Sequence, residues 1–136
     1  MNQSTRRKFL QTTTAAAATV PYFAWSQKSF ANESANDRPQ IGCIGTGSMG
    51  TGDAMGHAQF GDVVAVCDVD TRHAERAKHH DRIGKGKADA YKDYRDVLDR
   101  DDIDVVSIVT PDHWHTKIAI EALQAGKHVF CQKPLT

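Results

Sequence analysis

The sequence predicts an α/β fold in which a doubly wound parallel sheet carries helices on both faces. Short apolar runs rich in β-branched residues recur along the chain without strict polar alternation, as expected for strands buried on both faces. Stretches suited to helices separate these runs, so strands and helices alternate, which is the order of right-handed crossover units. With 136 residues and 40% hydrophobic residues, the chain can build one globular domain.

The strands are predicted where apolar residues cluster in short runs. We expect them at residues 40–44, 63–67, 105–109 and 128–131, with a weaker strand at 88–91. Helices are expected at 48–59, 71–80, 94–99 and 114–125. In the last helix the apolar residues Ile118, Ala119, Ala122 and Leu123 form one face. Asp112 is placed to cap its start, and Gly126 is placed to end it.

The charge balance excludes several function classes. Lys plus Arg and Asp plus Glu both number 17, and charged residues make up 25% of the chain, which argues against a nucleic-acid binder or a disordered tail. The balance is uneven along the chain, because Arg6, Arg7, Lys8 and Lys28 precede the first acidic residue, Glu33.

The first 31 residues resemble a twin-arginine export signal. Arg6 and Arg7 stand directly before a mildly apolar run that extends to Trp25, and this run is short and polar for a membrane span of about 20 residues. Ser29-Phe30-Ala31 suits cleavage after Ala31. We therefore expect a signal peptide at 1–31, a linker at 32–38 and the folded domain at 39–136, located in the periplasm or another extracytoplasmic space, with no membrane contact after cleavage.

The first strand-to-helix turn has a glycine pattern typical of dinucleotide binding. The turn consists of Gly45, Thr46, Gly47, Ser48, Met49 and Gly50. Gly45 permits a tight turn, Gly47 lets the backbone approach a pyrophosphate, and Gly50 lets the helix pack on the strand. The N–H groups at the helix start would hold the anion. The pattern favours a Rossmann-type sheet with these six residues in the cofactor site; a purely structural glycine turn is the alternative.

Asp68 ends the second strand and is placed to contact the adenosine ribose. A carboxylate there accepts hydrogen bonds from the ribose hydroxyls and repels a 2′-phosphate, so NAD is favoured over NADP. Two features leave alternatives open. Asp68 could instead cap a helix, and Arg72 could turn towards a phosphate if Asp68 turned away.

Two further segments follow strands at the edge where such sheets bind ligands. Thr110-Pro111-Asp112-His113-Trp114-His115 follows the fourth strand, and Cys131-Gln132-Lys133-Pro134 follows the fifth. We expect Thr110 and Pro111 in the cofactor site. His113, Trp114 and His115 are expected to line the cofactor or substrate cleft, with helix capping and packing as the alternative.

Together with the glycine turn and Val-Cys-Asp-Val-Asp, these two segments resemble the N-terminal half of the Gfo/Idh/MocA oxidoreductases, the family of glucose-fructose oxidoreductase and inositol dehydrogenase. The resemblance runs from about Pro39 to Thr136. It implies hydride transfer between a nicotinamide dinucleotide and a sugar-like polyol carbon in a two-domain, homo-oligomeric enzyme. By the family pattern this chain is truncated, lacking the sixth strand and the second domain, which brings most substrate contacts.

The family pattern also assigns roles to residues 132 and 133. Lys133 would lie near the nicotinamide and the reacting hydroxyl, where a lysine can stabilise a developing alkoxide or relay a proton, so it is the catalytic candidate. Gln132, counted with Lys133 in the cofactor site, departs from the usual glutamate. An amide keeps the hydrogen bonds and loses the charge that would hold the Lys133 ammonium.

The remaining polar residues have plainer interpretations. Asp112, His113 and His115 could be imagined as a metal site, but no metal is expected, since a short cluster without supporting partners is weak evidence. His73, His79 and His80 are expected to be solvated, and the three cysteines are expected to be free and in core strands. Two function classes stay open: an oxidoreductase or part of one, and a dinucleotide-binding module without chemistry.

The signal interpretation predicts that export depends on the guanidinium groups and not on positive charge alone. Replacing Arg6→Lys and Arg7→Lys together should leave the precursor in the cytoplasm, because lysine keeps the charge and loses the planar donor fork. Cell fractionation followed by immunoblotting measures the outcome. Lys8→Arg, which keeps the charge beside the pair, is the matched control and should export normally. Normal export of the double lysine variant would mean that another route is used.

Overall fold

The computed structural model describes residues 38–135, which form one parallel five-stranded sheet with helices. In chain order the elements are β1 (Gln40–Ile44), α1 (Ser48–His57), β2 (Asp62–Cys67), α2 (Thr71–His79), β3 (Asp89–Tyr91), α3 (Tyr94–Leu98), β4 (Val105–Ile108), α4 (Asp112–Gln124) and β5 (His128–Cys131). The strand order is β3-β2-β1-β4-β5, and all four pairings are parallel. The predicted fold class is confirmed. The predicted signal peptide and residues 32–37 of the linker lie outside the described residues.

Strand β1 supplies both hydrophobic cores, because successive side chains of a strand point to opposite faces of the sheet. Ile41 and Cys43 pack with residues of α1 and α2, whereas Ile44 packs with residues of α3 and α4. Burying one isoleucine side chain contributes roughly 1.5–3 kcal/mol to stability. Helices are therefore needed on both faces, which explains the continuous apolar character of β1, β2 and β4.

The turn between β1 and α1 brings backbone against backbone. Gly45 has φ +84°, a conformation that favours glycine, and a Cβ at this position would overlap the carbonyl oxygen of Val109. A Cβ on Gly50 would in turn overlap the carbonyl oxygen of Gly45. Only glycine at both positions lets β1, the turn and α1 lie this close together.

Helix α4 begins two residues earlier than the sequence predicts. Asp112 is its first residue, not a cap preceding the helix, and Pro111 occupies the N-cap position. The Asp112 carboxylate accepts a hydrogen bond from the main-chain N–H of His113 at 2.9 Å. The fixed φ of proline suits a helix start, and its missing N–H removes a donor that would have no partner there.

Within residues 38–135 no helix combines the length and the apolar character that crossing a membrane requires.

Candidate functional site

The carboxyl ends of the central strands are joined to one another just beyond the strands themselves. The main-chain N–H of Gly45 donates to the carbonyl of Cys67 at 2.8 Å, that of Val109 donates to Ile44 at 2.8 Å, and that of Gln132 donates to Ile108 at 3.0 Å. The loops after β1, β4 and β5 therefore leave the sheet in fixed register. This edge, at the point where the strand order reverses between β1 and β4, is where open α/β sheets bind ligands.

A cleft of about 720 Å³ opens at this edge. Eight of the residues predicted to bind the cofactor line it: Gly45, Gly47, Ser48, Met49, Gly50, Asp68, Thr110 and Pro111. Trp114 and Ile118 add apolar surface. The remaining predicted residues, Thr46, His113, His115, Gln132 and Lys133, lie outside this lining.

Helix α1 points its N-terminus at the cleft. Gly47 is the N-cap residue, no side chain of the described domain caps the helix, and its first turn carries no acidic residue. The main-chain N–H of Thr51 makes the first helical hydrogen bond, to Gly47 at 2.9 Å. The N–H groups of the first turn are thus left to bind an anion, which the helix dipole also favours.

Asp68 connects the glycine turn to the end of β2. One carboxylate oxygen accepts from the main-chain N–H of Thr46 at 2.8 Å, and the other accepts from that of Asp70 at 2.9 Å. The Asp68 side chain is only 11% exposed. A carboxylate offers about four acceptor positions, so Asp68 can hold the turn and still accept from a ribose hydroxyl.

Arg72 is held away from Asp68 by a different partner. Its guanidinium makes a forked contact with the Asp70 carboxylate, at 3.0 and 2.7 Å. Hydrogen bonding from Arg72 holds the pKa of Asp70 at about 2, below its ordinary range. The arrangement in which Arg72 would attract a 2′-phosphate, with Asp68 turned aside, is not the one observed.

Thr110 supplies an unused polar atom inside the site. Its hydroxyl oxygen is buried and has no hydrogen-bond partner among residues 38–135, and the same holds for the hydroxyl of Thr46. Buried hydroxyl groups are normally paired, because leaving one without a partner costs free energy. Thr110 lines the cleft, so a bound ligand can provide the missing partner.

The two histidines of α4 take opposite positions. The His113 side chain is 71% exposed and lies 3.7 Å from the Asp112 carboxylate. His115 is 2% exposed, and its ring lies between the carbonyl oxygens of Thr110 (2.8 Å) and Pro134 (2.7 Å). Both nitrogens of His115 are thus directed at main-chain atoms, and the ring ties the loop after β4 to the loop after β5.

Lys133 lies on the exposed loop that follows β5. Its main-chain N–H donates to the side-chain oxygen of Gln132 at 2.9 Å, and the peptide bond to Pro134 is cis. The Gln132 amide nitrogen donates in turn to Asp53 of α1 at 2.8 Å. The assignments of Gln132 and Lys133 to the cofactor site, and of Lys133 to catalysis, remain predictions.

One wall of the cleft was not predicted from the sequence. Residues Val69, His73, Lys92, Asp93, Tyr94 and Arg95 all line it. His73, expected to be solvated, places its ring nitrogen 3.5 Å from the Asp68 carboxylate. The loop after β3 lies at the same edge of the sheet as the other loops. The weakly predicted third strand was therefore the sequence signal that could have placed residues 92–95 in the cleft.

Tyr94 anchors this wall to α4. Its hydroxyl donates to Glu121 at 2.6 Å, and its ring packs edge-on against Trp114 with centroids 6.4 Å apart. Arg95 lies 4.8 Å above the Tyr94 ring. Desolvation and the neighbouring Glu121 carboxylate raise the pKa of Tyr94, so the phenol stays protonated as a donor at neutral pH.

The three cysteines are free. Burial raises the pKa of the Cys43 thiol to about 12, and burial together with nearby carboxylates raises that of Cys67 to about 12. Cys131, expected in the core, is only half-buried at the end of the edge strand β5. Within residues 38–135, no three His, Cys, Asp or Glu side chains are grouped so that they could hold a metal ion.

Comparison with known proteins gives a family match over the whole described domain. Residues 40–136 match the model of the Gfo/Idh/MocA family, described as an oxidoreductase family with an NAD-binding Rossmann fold. A glycosyl hydrolase family 109 protein from Shewanella sp. (strain ANA-3) is 38% identical over an alignment of 106 residues that covers 73% of this chain. The chain spans only 23% of that relative's length.

The fold is also similar to solved structures of dehydrogenases and of a ketoreductase. Levoglucosan dehydrogenase in complex with NADH is 31% identical, with a TM-score of 0.65 over 74% of this chain and 28% of that one. myo-Inositol dehydrogenase from Lactobacillus casei, with NAD(H) and myo-inositol, is 32% identical, with a TM-score of 0.65 over 73% and 29%. A 3-ketoreductase from Actinomadura kijaniata with NADP is 29% identical, with a TM-score of 0.65 over 74% and 30%.

The position of His115 predicts a structural role that His113 does not share. His115→Leu should lower the free energy of unfolding by about 1–3 kcal/mol, because the buried ring no longer donates a hydrogen bond to a main-chain carbonyl between the two loops. His113→Leu, on the same helix and exposed, should change it by less than about 0.5 kcal/mol. Urea denaturation followed by circular dichroism measures both values. Equal stability of the two variants would contradict the role of His115 as a tie between the loops.

Proposed function

Because the chain belongs to the Gfo/Idh/MocA family of oxidoreductases and forms its NAD-binding domain, we propose that it is the nucleotide-binding half of an enzyme that oxidises or reduces a sugar or polyol at a CH–OH carbon. The single observation that carries this proposal is the cleft at the strand-order reversal, lined by the glycine turn and by Asp68. Two similar structures are sugar or polyol dehydrogenases, which supports the substrate class.

The residues of the cleft fit NAD. The N-terminus of α1 would hold the pyrophosphate, with Gly47 leaving room for it, since a Cβ there would meet only the His73 ring at 3.9 Å. Asp68 would accept from the adenosine ribose, with the exposed apolar Val69 beside it. The unpartnered Thr110 hydroxyl would bind the cofactor further along the cleft.

Lys133 is the residue proposed to act on the substrate. When bound, a nicotinamide cofactor would supply or accept the hydride. The Lys133 ammonium would stabilise negative charge developing on the substrate oxygen, and its amine form would take the hydroxyl proton. His115 and Thr116 support this loop by hydrogen bonds to the carbonyl oxygens of Pro134 and Leu135.

A second candidate function is glycoside cleavage, which the name of the glycosyl hydrolase family 109 relative favours. The two candidates differ in their products. Net oxidation of a polyol accumulates NADH, which absorbs at longer wavelength than NAD, whereas hydrolysis of a glycoside releases its aglycone without net NADH. Assays of the full-length protein with myo-inositol, levoglucosan and chromogenic glycosides distinguish the two.

We also propose that the enzyme is exported in folded form. The paired Arg6 and Arg7 before an apolar run support this route. Export of the folded protein would let NAD be bound in the cytoplasm and carried out with it.

Asp68 should govern the choice between NADH and NADPH. Asp68→Asn keeps one of the two acceptor oxygens and removes the charge that repels a 2′-phosphate. The ratio of the two Kd values, in which any loss of stability cancels, should shift towards NADPH by about tenfold, or ~1.4 kcal/mol. Isothermal titration calorimetry measures both. Asp62→Asn removes the same charge at the opposite end of β2 and should leave the ratio unchanged. An unchanged ratio in Asp68→Asn would remove Asp68 from the ribose site.

Lys133 should matter for turnover more than for cofactor binding. In the full-length protein, Lys133→Ala should lower kcat by about 100-fold or more, with the Kd for NADH changed by less than about twofold, because the contact strengthens in the transition state. Lys87→Ala removes an equal charge from an exposed turn and serves as the control. Wild-type turnover in Lys133→Ala would make Lys133 structural, and NADH binding without any turnover would favour a non-catalytic binding module.

A further inference from the structure

The side chain of Gln132 joins helix α1 to the loop that carries Lys133. Its oxygen accepts from the main-chain N–H of Lys133 at 2.9 Å, and its nitrogen donates to the Asp53 carboxylate at 2.8 Å. Both Asp53 and Gln132 are half-buried. A main-chain N–H can only donate, so it fixes the oxygen of Gln132 and turns the NH₂ group towards Asp53.

We propose that Asp53 and Gln132 form a matched pair that positions Lys133, in which the carboxylate on α1 requires an amide at position 132. This inference rests on the proposed role of Lys133. Asp53 carries the negative charge, and Gln132 transmits the contact to the main chain of the Lys133 loop. Asp53 is therefore a positioning residue that acts through Gln132 and touches no reacting atom.

A glutamate at position 132 would conflict with Asp53. If a glutamate stood at position 132, one of its oxygens would still accept from Lys133, and the other would face the Asp53 carboxylate at hydrogen-bond distance. Two carboxylates that close cannot both be ionised, so one of them would hold a proton or the loop would move away. Glutamine removes the conflict and keeps both hydrogen bonds.

Few other titratable groups of the described domain are near the pair. His57 follows Asp53 by one turn of α1, and its ring packs on Phe130 of β5 with centroids 4.5 Å apart. Lys133 follows Gln132, and Cys131 precedes it.

The test is a double-mutant cycle of Gln132→Glu and Asp53→Asn, read by the unfolding equilibrium at pH 5 and pH 8. Gln132→Glu should lower the unfolding midpoint strongly at pH 8, with a loss of at least about tenfold in the folding equilibrium constant relative to wild type, and by a clearly smaller factor at pH 5, closer to the pKa of an unfolded carboxyl group. The sign follows because the folded variant retains a carboxyl proton that the unfolded chain releases as pH rises.

Asp53→Asn combined with Gln132→Glu should restore stability at pH 8 to within about threefold of wild type, because the amide introduced at position 53 can donate to the carboxylate introduced at position 132. Asp53→Asn alone should cost less than about threefold, since its oxygen still accepts from Gln132. If Gln132→Glu does not fold at all, folding of the double variant supports the pair. A double variant no more stable than Gln132→Glu, or a fully stable Gln132→Glu at pH 8, overturns it.

Two measurements distinguish a role in positioning the Lys133 loop from a role in the stability of the domain alone. In ¹H–¹⁵N spectra, the Lys133 amide should shift between pH 5 and pH 8 in Gln132→Glu and stay fixed in wild type. In the full-length enzyme, Gln132→Glu should lower kcat at pH 8 with the Kd for NADH within about twofold, and the double variant should recover kcat. If the Lys133 amide does not shift with pH in Gln132→Glu, the positioning role is overturned. If the stabilities of the variants behave as expected but the wild-type protein binds no NADH, the proposed function is rejected and the Asp53–Gln132 pair is not.

Discussion

Burial of both faces of the parallel sheet is the constraint from which the cleft arises. The side chains of β1 alternate between the two cores, so α1 and α2 must cover one face and α3 and α4 the other. To place helices on both faces, the chain adds β2 and β3 on one side of β1 and then β4 and β5 on the other. The loops after β1 and β4 consequently leave the sheet on opposite sides, and the gap between them has no side chains of its own to fill it.

Three short polar contacts hold the rim of this gap in shape. Asp68 binds the glycine turn, His115 bridges the loops after β4 and β5, and Gln132 joins the last loop to Asp53 of α1. Each contact links segments that are far apart in sequence. The rim is therefore organised before any ligand arrives, which reduces the ordering that binding must supply.

The fold and the glycine turn could be predicted from the sequence, because strand burial and turn geometry each restrict which residue types can occupy neighbouring positions. It did not separate His113 from His115. Residues two apart in a helix point to nearly opposite sides, and His115 shares its side with Ile118, Ala119 and Ala122, so helical periodicity was the unused signal. The contact of Asp53 with Gln132 depends on tertiary packing across the sheet edge, so a local sequence pattern does not predict it.

The buried thiols have a consequence for chemical durability. Oxidants and disulfides react with the thiolate form of cysteine, and the raised pKa values of Cys43 and Cys67 keep both in the thiol form at neutral pH. Their burial also blocks access by reagents in solution. The two cysteines nearest the centre of the sheet are thus slow to oxidise or cross-link, whereas the half-buried Cys131 lacks this protection.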